Sequence, residues 1–252
     1  MISKNTIKYI KSLHLKKFRQ KYNKFIVEGD KIVREFLQQD RYSFDTLYAT
    51  KTWIETNYEL LKLYEGRYFD VKVAEMKKIS TLNTPSPVLL IADYKSATVD
   101  LQLALQDWTL YLDGIQDPGN LGTILRIADW FGMAHVFRSP LSVDLYNPKV
   151  IQSSMGAFLR VDCPQLALEE IKKTVPQITL YGTFMEGENI FELGALPKGI
   201  IIIGNEGKGI SVEVQSKIER RLSIPAEGKQ GAESLNAAVA TGIVCAVLRN
   251  QK

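Results

Sequence analysis

The stretch DGIQDPGNLGTILR, residues 113–126, brings together polar residues that could belong to a functional site. Asp113, Asp117, Asn120 and Arg126 fall where a predicted strand turns into a predicted helix. A guanidinium held near such a turn suits a negatively charged ligand. The alternative is ordinary helix capping by Asn120, with an exposed ion pair between Arg126 and Asp129 one turn later. This stretch alone leaves both interpretations open.

A second stretch, IIIIGNEGKGIS at residues 200–211, ends a buried strand with a cluster of glycines. Gly204 and Gly207 would let the backbone approach a ligand closely. Glu206 between them has no packing explanation, which favours a site over a simple turn. The order of residues after Lys208 does not match a Walker loop, and the spacing is not G-x-G-x-x-G, so neither a nucleoside triphosphate nor a dinucleotide is supported.

The third stretch, SIPAEGKQGAESLNAAVATG, places Gly228 and Gly231 before a predicted helix that begins at Glu233. Ser234 and Asn236 then lie at the start of a helix rich in small residues. The alternative is that Ser234 is only an N-cap and that the small residues only allow close helix packing.

The elements around these loops predict an α/β fold. From residue 107 onward, strands alternate with helices of about ten residues, a pattern typical of a parallel sheet covered on both faces. In such sheets ligands bind beyond the carboxyl ends of the strands, where the three stretches fall. We predict a smaller α/β domain at residues 1–95, a linker at 96–106 and a larger domain at 107–252.

Charge is distributed unevenly along the chain, although the formal net charge is only +4. Residues 1–27 contain no acidic residue but many lysines and one arginine. Such a block suits a phosphate backbone or an anionic surface. A solvated, lysine-rich helix face is the alternative. With 45% hydrophobic and 24% charged residues, the composition is that of a globular protein.

The two cysteines, Cys163 and Cys245, lie far apart and have no metal-ligand spacing. Together with an N-terminus that lacks an apolar leader, they predict reduced thiols in a cytoplasmic protein without a metal. The longest apolar stretch, residues 235–248, is too short to span a bilayer and is interpreted as a buried helix.

Taken in order, the three stretches resemble the motifs of the SpoU/TrmH branch of the SPOUT RNA methyltransferases. The family patterns N-x-G-x-x-x-R, G-x-E-G-x-G and I-P followed by S-L-N correspond to residues 120–126, 204–209, 224–225 and 234–236. Thr123, Ile127 and the pair after Asn236 depart from common family residues without removing a required polar group. The N-terminal part is similar to the RNA-binding extension of family members that act on ribosomal RNA.

This resemblance implies a deep trefoil knot at the C-terminus, a rare exception among folds, and an L30e-like N-terminal domain. It also implies a homodimer and S-adenosylmethionine as cofactor, leaving S-adenosylhomocysteine as product, with no metal. The residues expected to bind the cofactor are Thr183, Gly204, Asn205, Gly207, Ile224 and Leu235.

The reaction implied by the resemblance is methyl transfer to a ribose 2′-hydroxyl. The residues expected to carry it are Arg126, Asn120, Glu206, Ser234 and Asn236. Because a guanidinium stays protonated, Arg126 is expected to bind the RNA phosphate and stabilise the developing alkoxide. The two asparagines would orient the ribose and the loops, while Ser234 and Glu206 would fix the nucleotide or the motif geometry. An RNA phosphate or a water molecule would take the proton.

The expected substrate is structured RNA, with ribosomal RNA (23S) first and transfer RNA second. The cations expected to bind it are Lys16, Lys17, Arg19, Lys21 and Lys24. A non-catalytic RNA-binding or ribosome-assembly factor is the rival, and it would bind RNA without the cofactor. A dehydrogenase or kinase lacks support because its nucleotide-binding sequences are missing.

Overall fold

The computed structural model describes residues 2–95, 99–226 and 234–250. Within them, one compact unit contains residues 2–95 and Tyr146–Leu159, and a second contains the remainder. The sequence predicts contiguous domains, whereas the first unit also takes in a segment from the middle of the chain. The domain boundaries drawn from the sequence stay a prediction.

The first unit is built around a four-stranded sheet. Its elements up to residue 93 are α1 (Lys4–Ser12), α2 (Lys16–Tyr22), β1 (Lys24–Glu28), α3 (Asp30–Leu37), β2 (Phe44–Ala49), α4 (Lys51–Thr56), α5 (Tyr58–Leu61), a 3₁₀ turn (Lys62–Tyr64), β3 (Tyr68–Asp70), α6 (Val73–Ile79) and β4 (Val88–Asp93). The strand order is β1-β4-β2-β3, with β4 antiparallel to both of its neighbours and β2 parallel to β3. Ile10, Ile26, Met76 and Leu89 belong to a buried apolar cluster that joins α1 and α6 to the sheet.

The rest of the chain forms the second unit, apart from one segment. The elements from residue 101 onward are α7 (Leu101–Ala104), β5 (Thr109–Asp113), α8 (Pro118–Trp130), β6 (Val136–Arg138), α9 (Pro148–Ser153), a 3₁₀ turn (Ala157–Leu159), α10 (Leu168–Thr174), β7 (Thr179–Phe184), β8 (Glu188–Asn189), β9 (Gly199–Gly204), α11 (Val212–Gln215), β10 (Arg220–Ser223) and α12 (Ala237–Asn250). Helix α9 and the 3₁₀ turn after it belong to the first unit, where α9 packs on β1 and the Phe158 ring lies 6.1 Å from that of Phe25.

The six-stranded sheet of the second unit confirms the predicted α/β class. Its order is β6-β5-β9-β7-β10-β8, and every neighbouring pair is parallel. The central strand β9 is buried along its run of isoleucines, as expected for a strand covered on both faces. The strand predicted near Arg160 is wrong, because a 3₁₀ turn ends at Leu159 and the residues after it make two isolated bridges, Asp162 with His135 and Gln165 with Arg138. The knot stays a prediction.

Two helix starts differ from the sequence-based prediction. Helix α8 begins at Pro118 and is capped by Asp117, whose side chain accepts from the Asn120 N–H at 2.8 Å, so Asn120 is not the N-cap. Proline suits the first helical position because its φ is preset and it lacks an N–H. Helix α12 begins at Ala237 rather than at Glu233, which lies outside the described residues together with Gly228 and Gly231.

Candidate active site

Two neighbouring parallel strands bring the first two loops together. Asp113 at the end of β5 pairs with Gly204 at the end of β9. Because parallel strands end at the same edge of a sheet, the loops that follow them lie side by side. The buried Asp113 carboxylate reinforces this arrangement by accepting from the Ser211 N–H at 2.7 Å. The first loop thereby holds the far end of the second.

Asn120 lies at the centre of a hydrogen-bond chain that joins all three loops. Its Nδ2 donates to Glu206 Oε1 at 2.9 Å, and its Oδ1 accepts from Asn236 Nδ2 at 2.9 Å. The order of donors and acceptors is complementary, because the Asn120 amide turns its nitrogen toward the carboxylate and its oxygen toward the second amide. Residues more than 80 positions apart in sequence therefore meet at one half-buried amide.

The Glu206 carboxylate fastens the glycine loop to the start of α8. Besides Asn120, it accepts from the backbone N–H groups of Gln116 at 3.4 Å and Asp117 at 3.3 Å. Asn205 Nδ2 also reaches it at 3.4 Å. Unpaired N–H groups at the beginning of a helix carry partial positive charge, so a carboxylate is favourable at this position. Glu206 is thus committed to holding the loops in place.

The glycine loop is a tight turn closed by its own backbone. The N–H of Asn205 donates to the Gly209 carbonyl at 2.9 Å, and the N–H of Gly209 donates back at the same distance. The Asn205 side chain donates to the Gly114 carbonyl at 2.7 Å and accepts from the N–H groups of Gly207 and Lys208. A Cβ on Gly204 would lie 2.4 Å from the Gly209 carbonyl carbon, so only glycine fits this position.

The third loop enters the site through Asn236, which also caps α12. Its Oδ1 accepts from the N–H groups of Ala238 at 2.9 Å and Val239 at 3.3 Å, the role that the sequence offered to Ser234. Ser234 is exposed and has no hydrogen-bond partner among the described residues. Leu235 is 49% exposed although it adjoins Asn236.

The remaining residues expected at the cofactor site lie at strand ends in the same unit. Thr183 is half-buried near the end of β7, and its hydroxyl donates to the Ile202 carbonyl at 3.0 Å. Ile224 is half-buried and directly follows β10, the strand next to β7. No hydrogen bond between described residues joins either side chain to the Asn120 chain.

Arg126 is exposed in the third turn of α8, not in the first turns, because the helix begins at Pro118. It has no hydrogen-bond or ion-pair partner within the described ranges. The alternative, a pair between Arg126 and Asp129, is not formed, because Asp129 is bound by Arg160 through contacts of 2.9, 3.0 and 2.7 Å. The helix therefore presents a cation whose charge is not neutralised by a neighbouring carboxylate in this part of the chain.

The N-terminal cations, which belong to the first unit, differ in how far they are exposed to solvent. Lys16, Lys17 and Lys21 of α2 are exposed. Arg19 is only 2% exposed, and its Nη1 donates to the carbonyls of Leu13 and His14, so we correct its assignment: it braces α2 and is not a surface cation.

Lys24 is partly committed as well. Its Nζ lies 2.5 Å from Asp93 and 3.2 Å from Asp45, and although burial lowers its pKa, these hydrogen bonds raise it more. The ammonium is therefore held as a structural ion, and the exposed cations of α2 are better placed to meet a phosphate.

Two contacts of the site were missed from the sequence. The bond of Asp113 to Ser211 joins residues almost a hundred positions apart, and the binding of Asp129 by Arg160 crosses 31 positions. In the sequence, only the acidic residue Asp113 at the end of a predicted strand pointed to the first of these contacts. Arg160 carried no signal.

Within the described residues, no three His, Cys, Asp or Glu side chains gather as a metal ion would require. None of the helices in those ranges is long and apolar enough to cross a membrane.

Comparison with known proteins covers both units. Residues 107–246 match the SpoU rRNA Methylase family, and residues 4–90 match the MRM3-like substrate binding domain. The 23S rRNA (guanosine(2553)-2′-O)-methyltransferase RlmP of Bacillus subtilis is 31% identical over 96% of this chain and 95% of its own length.

Solved structures share the whole fold. A TrmH-family protein from Porphyromonas gingivalis superposes with a TM-score of 0.84 at 38% identity, and the match covers 100% of both chains. The SpoU methyltransferase AviRb from Streptomyces viridochromogenes, in complex with AdoMet, superposes with a TM-score of 0.85 at 21% identity over 99% of this chain and 98% of its own.

Proposed function

The chain belongs to the SpoU rRNA methylase family of RNA methyltransferases, and from this premise we propose that it methylates a ribose 2′-hydroxyl of ribosomal RNA. The observation that carries the proposal is the convergence on Asn120. One amide joins Glu206 of the glycine loop to Asn236 of the third loop, at the start of the helix that carries Arg126. A binding module without catalysis would not need this arrangement beside an uncommitted guanidinium.

S-adenosylmethionine is the proposed cofactor, and it supplies an activated methyl group on a sulfonium. The residues present fit such a ligand, which has an apolar adenine ring and several polar groups. Leu235 and Ile224 offer partly exposed apolar side chains, while Gly204 keeps the backbone free of a Cβ at the end of β9. We propose that these residues hold it together with Thr183, Asn205 and Gly207. The AviRb structure was solved with AdoMet.

Arg126 is the proposed catalytic cation. A guanidinium stays protonated in proteins, so it does not remove the hydroxyl proton but binds the RNA phosphate and stabilises negative charge on the 2′-oxygen. Helical Cα–Cβ bonds tilt toward the helix N-terminus, which favours a reach back toward the end of α8 that carries Asn120. The hydroxyl proton then leaves to an oxygen of the RNA phosphate or to water.

Asn120, Asn236 and Glu206 are proposed to position the loops and the ribose. Glu206 accepts from four N–H groups, so its oxygens are already occupied and it is a positioning residue rather than a base. Ser234, exposed beside Asn236, has a free hydroxyl in this part of the chain that can bind the nucleotide.

The exposed lysines of α2 support RNA as the substrate. We propose that Lys16, Lys17 and Lys21 contact phosphates, a sequence-independent term that supplies much of the affinity of nucleic-acid-binding proteins. The match of residues 4–90 to a substrate binding domain points the same way. Ribosomal RNA is preferred because the Bacillus relative is named for 23S rRNA and matches nearly the whole chain.

We further propose a cytoplasmic homodimer. Trp130 on α8 and Val239 on α12 are 85% and 52% exposed, and the two helices pack against each other. Large apolar side chains exposed on adjoining helices are typical of a subunit interface. Both cysteines are free, in keeping with a reducing compartment.

The test is to incubate the purified protein with ribosomal RNA made without modifications and with S-adenosylmethionine, and to digest the RNA to nucleosides. Mass spectrometry should then find one 2′-O-methylnucleoside whose yield approaches one per RNA. Methylation only on a base, or RNA binding with no methyl transfer and no cofactor binding by calorimetry, would contradict the proposal. Transfer RNA serves as the comparison substrate.

A further inference from the structure

The carboxylate of Asp129, one turn beyond Arg126 on α8, is bound by Arg160 through two nitrogens. Nε lies 2.9 and 3.0 Å from the two carboxylate oxygens, and Nη2 lies 2.7 Å from Oδ2. The Asp129 side chain is 27% exposed and the Arg160 side chain is 45% exposed. A forked contact of this kind is stronger and more directional than a single one.

The Asp129 carboxylate does not stabilise helix α8. It lies in the last turn of α8, where the macrodipole disfavours a negative charge. Burial also raises the pKa of its carboxyl group. A carboxylate in this position needs a compensating cation, and residues three apart on a helix are neighbours. Arg126 is the cation at that spacing, so without another partner Asp129 would draw on it.

We propose that Arg160 is a positioning residue that holds Asp129 and thereby leaves the Arg126 guanidinium available to RNA. The inference rests on the proposed role of Arg126. Arg160 and Arg126 are the two cations that could pair with the Asp129 carboxylate. When Arg160 binds Asp129, it neutralises the carboxylate, and Arg126 has no ion-pair partner among the described residues. When Arg160 is absent, Asp129 competes with the RNA phosphate for Arg126 and repels that phosphate.

The expected effect is moderate because the competing pair is largely at the surface. Pairs of this kind shift an equilibrium by about two- to fivefold. We therefore expect Arg160→Ala to lower kcat/KM for RNA by about two- to fivefold, with no change in the affinity for S-adenosylmethionine.

A rescue experiment distinguishes positioning from other roles. The variants are Arg160→Ala, Asp129→Asn and the double variant, with methyl transfer to RNA and cofactor affinity measured for each. Removing the Asp129 charge removes the competition, so the double variant should recover the activity of Asp129→Asn. Arg160→Lys, which still supplies a cation, should stay within about twofold of the wild type. Lys173→Ala is the control, because it removes one exposed positive charge elsewhere in the same unit.

A double variant as impaired as Arg160→Ala would overturn the inference, since Arg160 would then act on RNA directly or on the fold. An Arg160→Ala enzyme with wild-type activity would overturn it as well. Both outcomes differ from failure of the proposed function, which is diagnosed by an Arg126→Ala enzyme that keeps full activity. Thermal melting of each variant separates a loss of fold from a loss of positioning.

Discussion

Replacement of Asn120 by alanine should lower kcat/KM for RNA by at least about tenfold while leaving helix α8 intact. The helix α8 does not depend on Asn120, because its cap is the Asp117 side chain. Alanine also has a higher helix propensity than asparagine, by about 0.6 kcal/mol. The two hydrogen bonds that alanine removes contribute more than this gain, so we expect a net loss of about 1–2 kcal/mol of stability. The cap itself is tested by Asp117→Ala, which should cost about 1 kcal/mol of stability.

The loss of activity follows from the two hydrogen bonds that Asn120 makes between loops. The bond to the Glu206 carboxylate, at 2.9 Å but near solvent, contributes about 1–1.5 kcal/mol, and the bond from Asn236 contributes about 0.5–1 kcal/mol. If the joined loops are needed in the transition state, their sum of about 1.5–2.5 kcal/mol lowers kcat/KM by about 10- to 70-fold.

The assay is steady-state methyl transfer to RNA, with thermal melting of the same preparations. Asn120→Asp should be worse than Asn120→Ala, because it sets a second carboxylate against Glu206. Asp117→Ala is the matched control and should lose stability, since it removes the cap. An Asn120→Ala enzyme within twofold of the wild type, or an Asn120→Asp enzyme better than Asn120→Ala, would refute the reasoning.

Three further predictions follow from other residues. Gly204→Ala should abolish cofactor binding by calorimetry, since its Cβ would meet backbone at 2.4 Å, whereas Gly194→Ala, whose Cβ would meet no atom within 4 Å, should bind normally. Burial raises the pKa of Cys163 to about 11 and of Cys245 to about 12, so a thiol reagent at pH 8 should react with neither until denaturant is added. Combined replacement of the exposed lysines of α2 by alanine should weaken RNA binding and lower the number of counterions released on binding by up to about three. An unchanged slope of log K against log salt concentration would contradict a phosphate contact.

The sequence was sufficient to predict the parallel sheet and the meeting of the loops. A chain in which apolar strands alternate with helices has few ways to bury its apolar faces other than a parallel sheet covered by helices. The carboxyl ends of β5 and β9 then lie at the same edge of that sheet. The resemblance of the three stretches to one family also indicated which polar residues belong together, and the chain from Glu206 through Asn120 to Asn236 agrees with that grouping.

The partners of individual side chains could not be predicted in the same way. Asn120 and Asp117 both suit a helix cap, and only the preference of Pro118 for the first helical position distinguishes them. Arg19 shares its sequence neighbourhood with exposed lysines, yet one turn of the helix carries it into the interior. Arg160 reaches Asp129 through the tertiary fold, which local spacing does not encode.

The most direct test of the central claim compares Arg126→Ala with the wild type in two measurements on the same sample. Methyl transfer to unmodified ribosomal RNA should fall below detection, while S-adenosylmethionine should bind with unchanged affinity by calorimetry. Lys173→Ala, which also removes one exposed positive charge, should keep its activity. Full methylation by Arg126→Ala would contradict the account, because the cation that the three loops are proposed to serve would then be dispensable.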